Sequence, residues 1–101
     1  MELDRKTLGR SKVNLSVLGF GGTGLGNMYV AMSERSAIDT LSAAYAAGMR
    51  YYDTAPLYGH GLSELRLGGG LRLFADPAVV VSSKVGWRLR PAFGKPTGAG
   101  L

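Results

Sequence analysis

The order of the strand and helix patterns is the feature that most limits how this chain can fold. A weak hairpin pattern over residues 5–17 is followed by strand, helix, strand, helix and strand patterns in strict alternation. Strands that alternate with helices pair in parallel through right-handed crossovers. A parallel sheet needs helices on both faces or closure into a barrel, and three strands with two helices supply neither. The pattern therefore predicts an α/β architecture that is only partly built within these 101 residues.

Local sequence signals give approximate bounds for these elements. In chain order they predict a strand over 17–21, a glycine-broken loop over 22–30, a helix from its N-cap at Ser33 to a stop at Gly48, a strand over 50–55, a second helix opened by Ser63-Glu64, and a strand over 78–85. The second helix would carry its leucines at Leu65, Leu67, Leu71 and Leu73. The run Gly68-Gly69-Gly70 in its middle opposes helix formation, at about 1 kcal/mol per glycine relative to alanine.

Composition excludes several classes of chemistry. The absence of cysteine removes disulfides, thiolate catalysis and zinc–thiolate sites, and a single histidine, His60, excludes a histidine-rich metal site. No apolar run approaches the ~20 residues needed to span a bilayer. The first residues also lack the basic and apolar regions of a signal peptide. These features predict a cytoplasmic protein without a membrane partner.

The net charge of +5 raises nucleic acid as a possible partner. The basic residues are scattered, however, with one group between Arg5 and Lys12 and another between Arg88 and Lys95. Neither group has the interleaved aromatic residues or the helical spacing of a surface that reads bases. We therefore predict no nucleic-acid partner.

Three polar residues fall where parallel α/β proteins keep their functional groups, at the carboxyl ends of strands. Asp53 ends the second predicted strand, Tyr58 follows in the next loop, and Lys84 lies near the end of the third. In a barrel these strand ends share one face, so the three side chains can converge. A tyrosine is a poor acid at neutral pH unless a nearby cation favours its phenolate, and Lys84 can supply that cation. The ordinary alternative is a cap, a half-buried aromatic ring and a solvated charge.

Three separated blocks resemble the aldo-keto reductase family. They are Leu18-Gly19-Phe20-Gly21-Gly22-Thr23, then Tyr52-Asp53-Thr54-Ala55-Pro56-Leu57-Tyr58-Gly59 with Gly61-Leu62-Ser63-Glu64 and Leu67-Gly68, and finally Val81-Ser82-Ser83-Lys84-Val85-Gly86. The resemblance implies a (β/α)8 TIM barrel whose N-terminal hairpin closes its bottom. Residues 1–101 would be its N-terminal portion, a partial domain truncated in the loop after the third barrel strand, and inactive by itself.

The same resemblance implies an activity and its residues. Reversible hydride transfer would take place between NAD or NADP and an aldehyde or sugar (aldose) hydroxyl, with a small carbonyl or sugar molecule as substrate. Asp53, Tyr58 and Lys84 would be three of the four catalytic residues, with Tyr58 as proton donor, and the fourth is a histidine after the next strand. His60 is not that residue, and we expect it to face solvent or pack within its loop. Gly22, Thr23 and Gly24, with Asp53, would border the cofactor.

The variant Ala55-Pro56-Leu57-Tyr58-Gly59-His60-Gly61 is similar to the branch of this family that contains sugar dehydrogenases and pyridoxal dehydrogenase. Members of that branch oxidise a hemiacetal-type hydroxyl with NAD or NADP. The resemblance therefore implies an aldose dehydrogenase type of substrate.

Two other interpretations compete with this one. The segment from Gly19 to Gly24 matches GxGxxG, the fingerprint of a Rossmann-type dehydrogenase, in which a helix begins within the motif. Here the first good cap, Ser33, is nine residues beyond Gly24, and Asp53 is twenty-nine residues beyond it rather than about twenty. A Rossmann protein therefore predicts a helix from near Gly21. The second alternative is a truncated, non-catalytic fragment whose exposed sheet edges pair with a partner.

Overall fold

The elements of the computed structural model, which describes residues 2–91, follow the predicted order. They are β1 (Arg5–Thr7), β2 (Asn14–Ser16), β3 (Phe20–Gly21), a 3-10 helix (Gly22–Gly26), α1 (Glu34–Ala46), β4 (Tyr51–Asp53), α2 (Leu62–Phe74) and β5 (Val80–Ser82). Strands β1 and β2 form an antiparallel hairpin, and β3, β4 and β5 form a parallel sheet with β4 in the middle. The predicted α/β order is confirmed. The loop predicted after Pro91 lies outside the described residues.

Helix α1 begins and ends where the sequence predicts. The Ser33 hydroxyl accepts a hydrogen bond from the Ser36 N–H at 3.0 Å, which satisfies one of the free amides of the first turn. The helix ends at Ala46, and Gly48 follows with a φ of +98°, a conformation that glycine adopts without strain. Because the first α-helix starts at Glu34 and not near Gly21, the Rossmann interpretation is wrong.

Several predicted bounds need correction. Residues 22–26 form a 3-10 helix rather than an open loop. Strand β3 contains only two residues, and Val17 and Leu18, which precede it, are about half exposed. Strand β5 stops at Ser82, and Val85 is 98% exposed. The apolar run over 78–85 predicts a longer strand, but β5 pairs within the described residues only with β4, which has three residues. Strand length here follows the neighbouring strand and not the length of the apolar run.

The second helix also departs from its predicted form. It begins at Leu62, one residue early, with Gly61 as its N-cap at a φ of +94°. Leu67 is buried, whereas Leu65 and Leu73 are 76% and 70% exposed. The helix runs unbroken through its three glycines. No helix in the described part of the chain is long and apolar enough to cross a membrane.

The core lies between the two helices and the sheet. It contains Leu25, Ala37, Leu41, Ala44, Tyr52 and Leu67, all buried. The two helices approach each other closely at Gly70, because a Cβ atom placed there would lie 2.5 Å from Cδ1 of the fully buried Leu41. By contrast, a Cβ atom on Gly68 or Gly69 would meet nothing within 4 Å. Packing therefore favours glycine at position 70, whereas nothing packs against positions 68 and 69.

This difference predicts opposite effects for two neighbouring substitutions. Gly69→Ala should raise the free energy of unfolding by up to about 1 kcal/mol, because alanine favours an exposed helix position over glycine. Gly70→Ala should lower it by about 1–3 kcal/mol, because the added methyl group overpacks against Leu41. Urea unfolding followed by circular dichroism measures both changes. Equal effects of the two substitutions would contradict the packing account.

Candidate active site

An ion pair joins the carboxyl ends of β4 and β5. Parallel pairing sets Asp53 beside Ser82, so Lys84 emerges two residues beyond the end of β5, next to the last residue of β4. The Lys84 ammonium donates to Oδ2 of Asp53 at 2.9 Å and to the main-chain oxygen of Thr54 at 3.0 Å. The two charged side chains are 49% and 36% exposed, so solvent screens the pair. The structure brings together two of the three predicted catalytic residues.

Ser82 holds the other side of the Asp53 carboxylate. Its hydroxyl donates to Oδ1 of Asp53 at 2.6 Å and lies 2.9 Å from the hydroxyl of Tyr51. The hydrogen bond from Ser82, followed by the bond and charge of Lys84, lowers the pKa of Asp53 against an opposing effect of burial. The bond to Asp53, with a smaller contribution from Tyr58, raises the pKa of Lys84. Both partners are therefore charged at neutral pH.

Tyr58 lies in the loop that follows β4, with its ring 5.0 Å (centroid) from the Lys84 ammonium. The chain turns sharply after it, because Gly59, His60 and Gly61 all have positive φ angles, of +73°, +54° and +94°. The main chain of Gly59 also packs directly against that of Gly26, and a Cβ atom on either glycine would overlap the other segment. The third predicted catalytic residue thus joins the other two, in a loop held by backbone contact.

A buried hydroxyl network lies behind these residues. Ser63, in the first turn of α2, is fully buried and donates to the main-chain oxygen of Gly22 at 2.7 Å. Its Oγ also lies 2.7 Å from Oγ1 of the buried Thr54. From the sequence, Ser63 is predicted only to open the second helix, and no role is predicted for Ser82. Period-two alternation places Ser82 on the same side of the strand as Lys84, and this signal could have found it.

Three of the four predicted cofactor residues, Gly22, Thr23 and Gly24, lie in the 3-10 helix, and the fourth, Asp53, ends β4. A Cβ atom on Gly22 would lie 2.6 Å from the main-chain oxygen of Asp53, so only glycine permits this approach. The space beside Gly24 is open, because a Cβ atom on that residue would meet nothing within 4 Å. The main chain at Gly22 is thus set next to Asp53, and the space beside Gly24 is open.

An apolar pocket of about 260 Å³ opens beside the tyrosine and the lysine. It is lined by Met28, Ala55, Pro56, Leu57, Tyr58, Lys84, Val85 and Trp87. A mostly apolar pocket with a few converging polar groups is typical of a site for a small molecule.

His60 lies apart from this chemistry. Its side chain is exposed, and its Nε2 lies 2.9 Å from the main-chain oxygen of Arg90. The histidine faces solvent, which is one of the two predicted roles, and its hydrogen bond joins the Tyr58 loop to the segment that follows Lys84.

The Ser82 hydrogen bond makes a testable prediction about acid behaviour. Ser82→Ala should raise the pKa of Asp53 toward the ordinary aspartate value of about 3.9, because its largest lowering cause is removed. A lowered carboxyl pKa contributes stability that is lost as pH falls from the unfolded-state pKa to the folded-state pKa. The Asp53 pKa is less lowered in the variant, so the variant should lose less stability than the parent over this acid range. Carboxyl carbon NMR over about pH 2–7 measures the shift.

Ser83→Ala is the matched control, since Ser83 donates to Glu64 at 2.8 Å and not to Asp53. An unchanged Asp53 pKa in Ser82→Ala, or an equal change in both variants, would contradict the assignment.

Successive βα units with polar groups gathered where the strands end define an α/β protein of the kind that keeps its functional site on this face. The chain belongs to the aldo/keto reductase family, whose family model matches residues 17–98. The resemblance seen in the sequence is thereby confirmed.

Two curated proteins and one solved structure are among those to which the chain is similar. The chain is 49% identical over 77 residues to D-threo-aldose 1-dehydrogenase from a Pseudomonas species, covering 76% of this chain and 23% of that protein. It is 40% identical over 83 residues to pyridoxal 4-dehydrogenase from Microbacterium luteolum, covering 82% and 24%. An aldo-keto reductase from Bacillus halodurans, solved in its holo form, superposes with a TM-score of 0.76 at 30% identity, covering 88% of this chain and 28% of that one. The chain spans about a quarter of the length of these curated relatives.

Proposed function

We propose that this chain forms the first βα units of a (β/α)8 barrel that catalyses hydride transfer between NAD or NADP and a small carbonyl or sugar molecule. Residues 1–101 would be a partial aldo-keto reductase domain with the β1–β2 hairpin at its bottom. Family membership and the structural likeness to a holo aldo-keto reductase support this proposal. The observation that carries it is the meeting of Asp53, Tyr58 and Lys84 at one edge of the sheet.

Each of the three residues has one chemical task in the proposed reaction. Tyr58 gives a proton to the carbonyl oxygen in reduction and takes the hydroxyl proton in oxidation. Lys84 holds a positive charge 5.0 Å from the centroid of the Tyr58 ring, where it would stabilise the negative charge that develops on the tyrosine oxygen as the proton leaves. Asp53 keeps that ammonium charged and oriented, and Ser82 in turn fixes the carboxylate. The bound nicotinamide nucleotide supplies or accepts the hydride.

The cofactor would lie against the 3-10 helix. Gly22, Thr23 and Gly24 would border its nicotinamide ring, with Asp53 on the neighbouring strand end. The close approach of Gly22 to Asp53 and the open space beside Gly24 support this placement. The choice between NAD and NADP depends on contacts to the distant end of the nucleotide.

An aldose hydroxyl is the substrate class that we favour. Two relatives act on sugars by name, D-threo-aldose 1-dehydrogenase and L-galactose dehydrogenase. A sugar ring presents C–H groups on its faces and hydroxyls at its rim. Leu57 and Trp87 give the pocket apolar lining that suits such a face, and Tyr58 lines the same pocket.

A chimera tests this function. The whole 101-residue chain is joined to the remaining part of the Pseudomonas D-threo-aldose 1-dehydrogenase, in place of the segment that it matches. We call this protein the completed barrel. With a D-threo-aldose and NAD or NADP it should form the reduced nucleotide, which is followed by absorbance. A folded, monodisperse completed barrel without turnover would contradict the proposed function.

Tyr58→Phe in the completed barrel should lower kcat by about 100-fold or more, since positioned acid–base catalysis contributes about 10²–10⁴-fold. The matched control is Tyr45→Phe, because Tyr45 lies on α1 and donates to Asp76 at 2.6 Å, away from Tyr58. The control should lose some stability and keep its turnover. Unchanged kcat in Tyr58→Phe would show that another group moves the proton.

A further inference from the structure

Arg66 makes an unusual set of hydrogen bonds from a buried position on α2. Its side chain is only 7% exposed, yet the guanidinium donates to Oε1 of Glu34 at 2.6 Å. It also donates to the main-chain oxygens of Leu25 and Met32, at 2.9 and 2.8 Å. All these acceptors lie in one short stretch, between the 3-10 helix and the first turn of α1. One side chain thus fixes this stretch to α2.

Asn27 receives a further bond from that guanidinium. Its Oδ1 accepts from Nη1 of Arg66 at 2.9 Å and from the Met32 N–H at 3.0 Å. Asn27 has a φ of +59°, a left-handed conformation that asparagine tolerates better than most residues. Its amide oxygen therefore ties the two ends of the loop 28–31, and Arg66 holds that oxygen in place.

The loop so closed borders the candidate active site. Met28 lines the same pocket as Tyr58 and Lys84, whereas Tyr29 and Val30 are 82% and 70% exposed. The main chain of residues 28–31 has no helix or strand to fix it. The position of Met28 therefore depends on how the ends of the loop are held.

The charge pair with Glu34 does not account for this arrangement. The Glu34 side chain is 73% exposed, and exposed partners contribute little to an ion pair. The bonds to the main-chain oxygens and to Asn27 use the planar, forked geometry of arginine, which a lysine cannot reproduce. These hydrogen bonds hold both ends of loop 28–31.

We propose that Arg66 and Asn27 are positioning residues that set the conformation of loop 28–31 and so fix Met28 in the substrate pocket. The proposal deepens the proposed function and rests on it. Neither residue touches the reacting atoms. Their loss should weaken sugar binding in ground state and transition state alike, which raises KM and leaves kcat near its parent value.

The test uses the completed barrel, with KM and kcat for a D-threo-aldose as readouts. Asn27→Gly keeps the left-handed backbone and removes the acceptor, and we expect KM to rise about tenfold with kcat within about threefold. Asn27→Asp keeps the side-chain acceptor and tolerates the left-handed backbone conformation, so its KM should stay near the parent value. Arg66→Lys keeps the charge but cannot span the acceptors, and should raise KM as Asn27→Gly does.

Arg66 and Asn27 share one hydrogen bond, so their substitutions should not add. The double variant Arg66→Lys/Asn27→Gly should have a KM no higher than about twice that of either single variant, because either change alone already releases the ends of loop 28–31. Arg35→Lys is the control, since its pair with Asp39 is exposed on α1, and it should leave KM unchanged.

An unchanged KM in Asn27→Gly would overturn the proposal, and so would an Asn27→Asp variant as impaired as Asn27→Gly. Tyr58→Phe in the same protein separates the two claims. If Tyr58→Phe loses turnover while the loop variants keep their KM, only the positioning role fails. If Tyr58→Phe keeps its turnover, the proposed function fails whatever the loop variants do.

Discussion

The buried hydroxyl of Ser63 holds together the segments from which the candidate site is built. It donates to the carbonyl of Gly22 at the start of the 3-10 helix and pairs with the hydroxyl of Thr54 just beyond β4. Thr54 in turn bonds through its N–H to the carbonyl of Ser82 at the end of β5. A polar group in the core is costly without partners, so this satisfied network fixes the relative positions of the three strand ends. These fixed strand ends in turn position Asp53 and Lys84 for their ion pair.

Helix α2 organises the rest of the structure through three positions at helical spacing. Ser63 reaches the strand ends, Arg66 fixes the loop before α1, and Gly70 allows α1 itself to pack closely. Residues three, four and seven apart share one face of a helix, which explains how one short element contacts all three neighbours. The glycine at position 70 costs helix propensity, and the close packing with Leu41 offsets that cost.

The sequence predicted what depends on local pattern and on parallel topology. The cap at Ser33, the stop at Gly48 and the meeting of Asp53 with Lys84 all follow from such rules. The contacts of Arg66 could not be predicted, because its acceptors lie up to 41 residues away and become neighbours only when α2 packs on the segment between the 3-10 helix and α1. The length of β5 was overestimated for a related reason, since an apolar run does not show where its partner strand ends. The location of the protein in the cytoplasm stays a prediction.

The proposed function depends on the positive charge that Lys84 places beside the Tyr58 ring. The most direct test compares kcat for aldose oxidation by the completed barrel and by its Lys84→Met variant, which lacks that charge. The variant's kcat should fall by about 100-fold or more, since positioned acid–base catalysis contributes about 10²–10⁴-fold. An unchanged kcat in Lys84→Met would contradict the proposed role of this charge.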